Sequence, residues 1–266
     1  MASRVLALCN QKGGVGKTTT TFNLARAAVR AGLRVLVVDL DPQGNLTAIA
    51  TARDLPRDGE GVADVLSGSG GVSVAEVTVA GVWDGLQVVP TVGTGLGHVR
   101  DQLVAAGIGR ERRLATALAP VRDEYDLVLI DCPPSLDQLT INALVAADEV
   151  LVVTQSKLFS ADGLAYLLDS IDAIKANYHP QLRVGGVIVN QHEEHTVSGR
   201  KWAAEIGSAM PVLHPPIPKR AVIGDAAEAA TGLDEWHGTG RAGAAALADI
   251  YTGYLTALNL TEGTPA

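Results

Sequence analysis

Aromatic side chains are scarce in this chain, at 4% of 266 residues, so its core has to be built mainly from Val, Leu, Ile and Ala. Cysteine is scarcer still. Cys9 and Cys132 are the two, too few for the disulfide framework of a small secreted domain. Positive charge is in deficit, with 21 Lys and Arg against 29 Asp and Glu and a formal net charge of -8. That balance excludes attraction of nucleic acid to the surface as a whole, although it leaves room for a local basic patch. No apolar run reaches the length that crosses a bilayer, and the start, MASRVLALCNQKGG, runs into a glycine loop without a signal-peptide cleavage region. The expectation is a cytoplasmic chain.

What the chain has is 47% hydrophobic residues, 19% charged ones, 29 Gly and 12 Pro. This suits one large domain, residues 1–258, with 259–266 as a flexible C-terminal tail. Near-continuous apolar runs at 5–9, 35–39, 127–131, 150–154, 184–190 and 212–217 read as buried strands. Helical patterns at 18–31, 136–147, 161–177 and 197–208 lie between them, and a last one covers 241–258. The Gly- and Ser-rich stretch 58–74 reads as a surface excursion. Such alternation predicts an α/β fold: a twisted, mostly parallel sheet with helices on both faces.

The strongest local signal is Gln11-Lys12-Gly13-Gly14-Val15-Gly16-Lys17-Thr18-Thr19, between the first strand and the first helix. A strand–loop–helix of this kind turns backbone N–H groups and a helix N-terminus toward phosphate oxygens, and glycines allow the close approach. Lys17 can reach the β- and γ-phosphates, and the Thr18 hydroxyl can bind Mg²⁺. The ordinary P-loop asks for Gly where this chain has Gln11. Lys12 through Thr19 instead resembles the deviant Walker A box of the ParA/MinD superfamily, P-loop ATPases of a single α/β domain. The resemblance implies ATP and Mg²⁺ as cofactors, nucleotide contacts along Lys12, Gly13, Gly14, Val15, Gly16, Lys17, Thr18 and Thr19, and a Lys12 that reaches across a homodimer to the partner's nucleotide.

Three further segments match the same family. Asp39-Leu40-Asp41-Pro42-Gln43-Gly44-Asn45 resembles its switch I, where Asp41 can orient the attacking water; an Asx turn before Pro42 is the structural alternative. Leu127 to Asp131 is a strand ending in an acid, and Asp131 would support Mg²⁺, directly or through water. Cys132-Pro133-Pro134-Ser135-Leu136 matches switch II. Asn190 and Pro218 stand where the family holds adenine, although a strand-end Asn also caps turns. The similarity runs from Val5 to about Ala230.

The branch is decided outside the ATP site. Membrane-associated MinD relatives end in a basic amphipathic helix, whereas 249–258 carries no Lys or Arg. Iron–sulfur relatives use two exposed cysteines, and Cys9 sits inside a buried strand. Tyr251 and Tyr254 are too few for the tyrosine cluster of the capsular kinases. ParA-like DNA binding remains, with Arg200-Lys201 and Lys219-Arg220 as backbone-contacting patches, each alternatively a solvated face. The family often carries arginine at the position of Val222, a departure on the DNA side, and with the first strand so near the start, autonomous operator recognition is not expected. His192-Glu193-Glu194-His195 has its histidines too close together for H-E-x-x-H and reads as a solvated loop.

The resemblance therefore implies an ATP-dependent dimer that binds DNA non-specifically on the nucleoid and positions a plasmid or chromosome locus. A ParB-like partner would stimulate hydrolysis by Lys12, Lys17 and Asp41. A protein cargo is the alternative.

Overall fold

The computed structural model describes residues 3–68, 71–157 and 159–261, with the backbone alone at 159–165. The chain opens with β1 (Arg4–Cys9), α1 (Lys17–Arg30), β2 (Val35–Asp39) and the short α2 (Asn45–Ala50). An insertion follows, made of α3 (Val62–Leu66), α4 (Val74–Val77), β3 (Val79–Ala80) and β4 (Leu86–Val89). Next come α5 (Gly95–Ala105), α6 (Arg113–Leu118), β5 (Leu127–Asp131), α7 (Gln138–Ala146), β6 (Glu149–Gln155) and α8 (Phe159–Asn177). The chain closes with β7 (Arg183–Asn190), α9 (Val197–Ala209), α10 (Ala221–Glu228) and α11 (Arg241–Ala257).

The strands form one sheet in the order β3-β4-β2-β5-β1-β6-β7, parallel except for β3, which runs antiparallel at the edge. Side chains of a strand alternate between faces, and the core divides accordingly. Val5, Ala7 and Cys9 of β1 join Val128 and Ile130 of β5 on one face, packed by α3 to α9. Leu6 and Leu8 join Leu127 and Leu129 on the other, under α1, α2, α10 and α11. Strands buried on both sides explain why the sequence shows continuous apolar runs and no alternation. α11 turns Ala244, Leu247, Tyr251 and Leu255 into this second core, and none of the described helices is long and apolar enough to cross a membrane.

Three expectations are corrected. Residues 212–217 form no regular strand. They follow β7 through isolated bonds, among them Val187 N–H to Pro211 O at 2.8 Å and Ile217 N–H to Val189 O at 2.9 Å. Pro215, Pro216 and Pro218 have no N–H to donate, so a continuous ladder cannot form. The stretch 58–74 is more than a surface excursion, because α3 buries Val62, Ala63 and Leu66 in the core; residues 69 and 70 lie outside the described set. The tail expected from 259 is packed as far as Leu260, which is 4% exposed and donates its N–H to Leu255 O, and residues 262–266 lie outside the described set.

Candidate nucleotide site

Parallel strands deliver their C-terminal ends to one edge of the sheet, and this edge collects the predicted residues. The loop after β1 takes left-handed backbone at Gly14 (φ 72°) and Gly16 (φ 86°), which favours glycine. Gly16 also lies so close to Asn190 that a Cβ there would collide with its amide. α1 begins at Lys17, whose side chain is 6% exposed. Its ammonium has no carboxylate partner among the described residues and donates to the Lys12 carbonyl at 3.5 Å.

β2 and β5 run in register, so Asp39 stands beside Asp131 at their ends. Asp131 accepts the Thr18 hydroxyl at 2.7 Å and the Thr21 hydroxyl at 3.3 Å. Asp39 accepts the Thr47 N–H and hydroxyl, at 2.8 and 2.7 Å, and the Asp41 N–H at 3.1 Å. Both carboxyls are buried, and burial raises their pKa values above the ordinary range. Asp39 is pushed up to about 6, with its hydrogen bonds opposing the rise. Asp131 is pushed up to about 8 by burial and then by the charge of Asp39. An acidic, dehydrated edge beside a buried ammonium has unspent capacity for a divalent cation and for phosphate oxygens.

Asp41, 8% exposed, stands at the same edge, and one of its oxygens accepts the Gln43 N–H at 3.0 Å. The Asx turn that the sequence allowed is thus formed, and the other oxygen has no partner among the described residues. In switch II, Asp137 caps α7 by accepting the Leu139 N–H at 2.9 Å, and Ser135 donates to it at 2.9 Å.

A second layer braces the loop. Asn10 donates to Val153 O at 2.7 Å and accepts the Lys12 N–H at 3.0 Å. Gln155 and Gln191 both donate to Gly14 O, at 3.3 and 3.1 Å, and Gln155 also donates to Gln191 at 2.7 Å. Lys12 is turned to Gln155, Nζ to Oε1 at 3.4 Å. The sequence reading missed Asn10, Gln155 and Gln191; the available signal was a polar residue directly beyond each apolar strand. Asn190, expected beside a base, is bonded here to the phosphate loop and to its own neighbour. Its amide donates to Val15 O at 2.7 Å and its oxygen accepts the Gln191 N–H at 2.8 Å, so it holds the loop and is not turned out toward a base. Pro218 is half-buried and bridges to His192. Cys9, at the end of β1, and Cys132, directly after β5, are buried free thiols with sulfurs 3.0 Å apart, a proximity not foreseen from sequence.

The four basic candidates are exposed. Lys219 pairs with Glu193 at 3.0 Å, and Lys201 lies 3.9 Å from Glu205 and over the Trp202 ring. Arg200 donates to Glu194 O, and Arg220 to Lys219 O, each at 3.0 Å. The His192–Pro218 bridge brings the loop before α9 beside the stretch before α10, so both pairs belong to one flank of the nucleotide edge. Val222, by contrast, is buried against Gly240. His192 hydrogen-bonds Ser156 at 2.9 Å, and His195 is exposed, as a loop reading requires.

A family model described as an AAA domain matches residues 3–184. An uncharacterized protein of Mycobacterium tuberculosis is 41% identical over 204 residues, which cover 77% of this chain. The chain spans 63% of that relative's length. The chromosome partitioning protein ParA of Caulobacter vibrioides is 39% identical over 206 residues, covering 76% of this chain and 75% of that protein. Among solved structures, cobyrinic acid a,c-diamide synthase of Mycobacterium smegmatis, with a bound ATP analogue and magnesium, superposes with a TM-score of 0.76 at 36% identity. The superposition covers 85% of this chain and 91% of that one.

Proposed function

The chain belongs to the ParA family, and from that membership and the geometry of its site we infer that it binds ATP with Mg²⁺, hydrolyses it, and dimerises in the process. The observation that carries this reading is the buried Lys17 ammonium, without a carboxylate partner among the described residues, beside the Thr18–Asp131 pair. Buried charges persist where a ligand completes them. The synthase name belongs to the Mycobacterium smegmatis protein; what comes from it here is the ATP-and-magnesium chemistry of a related site.

The Thr18 hydroxyl and Asp131 would hold Mg²⁺, which when bound neutralises charge on the β- and γ-phosphates. The chain's own residues at this edge then have defined tasks. The N–H groups of Gly13 to Thr19 cradle phosphate oxygens at the start of α1, and Lys17 neutralises them. Asp41 offers its unpartnered oxygen to the attacking water. Lys12 leaves Gln155 and crosses to the nucleotide of a second subunit. The Asp39–Thr47–Thr91 network, with Thr91 donating to Asp39 O at 2.7 Å and its N–H to the Thr47 hydroxyl at 2.9 Å, ties switch I to the strand that carries Asp131's neighbour.

The further reading is DNA positioning in the cytoplasm, on the nucleoid. Arg200, Lys201, Lys219 and Arg220 lie on one flank, and pairing two subunits doubles the patch, which is how an acidic chain can hold phosphate backbones. A ParB-like partner would stimulate hydrolysis and release. A membrane-bound cycle is disfavoured because the described part of the last helix is packed into the core. Protein cargo is the reading that remains if DNA fails.

Sedimentation and filter binding test the proposal together. The chain with ATP and Mg²⁺ should dimerise and retain duplex DNA of arbitrary sequence, whereas Lys12→Ala should bind ATP and stay monomeric. With up to about eight phosphates neutralised per dimer, DNA retention should fall on the order of a thousandfold or more between ~50 and ~200 mM salt. A normal ATP dimer of Lys12→Ala refutes the role given to Lys12. Absence of ATP-dependent DNA retention at low salt refutes the DNA reading and favours protein cargo.

A further inference from the structure

At the other edge of the sheet, where β1, β6 and β7 begin, lies a cavity of about 670 Å³. The six residues of β1 separate it from the phosphate loop by about 20 Å at the usual strand rise. Its wall gathers Arg4 from the start of β1, Arg122 from the turn before β5, Lys175 from the last turn of α8 and Arg183 from the start of β7. Asp148 is the acid among the lining residues. In a chain of net charge -8, this concentration of cations runs against the average.

The arginines are held in place from behind. Glu149, 7% exposed, receives Arg4 at 2.8 Å and Arg183 at 2.7 Å. Asp148 receives Arg122 at 3.1 Å and the Val5 N–H at 2.8 Å. Asp123 also stands 4.0 Å from Arg122, so three carboxylates against four cations leave the cavity about one positive charge in excess. Donor capacity is also left over. Arg183 spends one nitrogen, and Lys175 Nζ has no acceptor among the described residues. Guanidiniums fixed by carboxylates lose little rotamer freedom when they receive a further anion, so the arrangement is preorganised for a ligand. The volume lies in the range of small-molecule sites and exceeds what an inorganic anion fills, and Pro180 and His179 supply a less polar wall.

We propose that this cavity is a second ligand site, separate from the nucleotide edge, that takes a small phosphate-bearing molecule. Arg183 and Lys175 grip the phosphates from the open side, while Arg4 and Arg122 supply charge from the floor. The reading is independent of ATP chemistry at the phosphate loop.

Equilibrium dialysis of labelled pyrophosphate and of labelled ADP, in Mg²⁺-free buffer, tests it on the Lys17→Ala chain and on the chain with Lys17 intact. Both chains are compared with and without Lys175→Ala/Arg183→Ala. These two side chains lie at the cavity mouth, and unchanged thermal unfolding verifies that the variant folds. The proposal expects one saturable site on Lys17→Ala that weakens at least tenfold with the double substitution, and the loss of one equivalent in the intact chain. Tighter binding of ADP than pyrophosphate would show the organic body seated against Pro180 and His179; equal binding would show that phosphate alone is recognised. Stoichiometry indifferent to the double substitution overturns the proposal. So does a short DNA duplex binding through these residues where pyrophosphate and ADP do not, which would make the cavity part of a polyanion surface.

Discussion

Asp131 should lose a proton when the nucleotide site fills. Its carboxyl is pushed up to about 8 by burial and by Asp39. A group of that pKa is about three-quarters protonated at pH 7.5, while Asp39, at about 6, is almost fully ionised there. Metal ligation requires the carboxylate, so binding a preformed Mg²⁺–ATP analogue at pH 7.5 should release protons that Asp131 supplies. The terminal phosphate contributes little, because its own second pKa is about 6. Affinity should then fall roughly tenfold per pH unit below pH 8 and level off above it. The sign for stability is opposite. A raised carboxyl pKa means that the folded, nucleotide-free chain holds more protons than the unfolded one, so its stability falls as pH rises from about 4 toward about 8.

Calorimetry in two buffers of different ionisation enthalpy measures the released proton directly. Asp131→Asn has none to release and should bind weakly, without the pH slope. Near-zero release at pH 7.5, together with affinity flat between pH 6.5 and 8, would refute the reasoning. It would mean that the neighbouring Lys17 charge already keeps Asp131 ionised.

Lys17→Ala should weaken a fluorescent ATP analogue on the order of a hundredfold or more, since charge-assisted contacts to two phosphates are lost; unchanged affinity in a fluorescence titration would reject the site. Asp41→Ala should keep ATP binding and ATP-dependent light scattering while phosphate release falls to background. Normal turnover in that variant would leave Asp41 as a turn residue only.

The sheet and the phosphate loop were legible because each rests on a local pattern. A strand buried on both faces has to be apolar throughout, and 127–131 and 150–154 say so on their own. Gly14 and Gly16 meet a backbone need that few other residues can meet. What escaped depends on long-range neighbours. β3, at two residues, is too short to carry a period, and it exists because β4 offers it an edge. Residues 212–217 carry the apolar content of a strand, but their prolines break the donor ladder. Val222 falls where the family often has arginine, and its burial against Gly240 depends on a turn 18 positions later in the chain. The brace of Asn10, Gln155 and Gln191 is polar residues at strand ends, which sequence alone cannot separate from ordinary turn caps.

Asn190 decides between two accounts of the nucleotide edge, and its replacement by Ala distinguishes them. If it reads adenine, as its position in the family pattern implies, the variant should lose preference among bases while phosphate binding stays intact. The structure instead has its amide on Val15 O and its oxygen on the Gln191 N–H, at 5% exposure. Alanine would leave a carbonyl and an N–H unpaired at a buried position, each costing about 1–3 kcal/mol unless water enters. The loop between Val15 and Gly16 would also gain freedom that has to be removed again on binding, so affinity should drop by about tenfold or more. The loss should be equal for ATP and GTP analogues and for pyrophosphate, because the damage lies in the cradle and not at the base. Thermal unfolding of the free variant should shift down by several degrees, about 2–4 °C per kcal/mol for a chain of this size. Competition titrations with the three ligands would settle the matter. A selective loss for ATP, with pyrophosphate binding untouched, would return Asn190 to the adenine pocket and refute the bracing role.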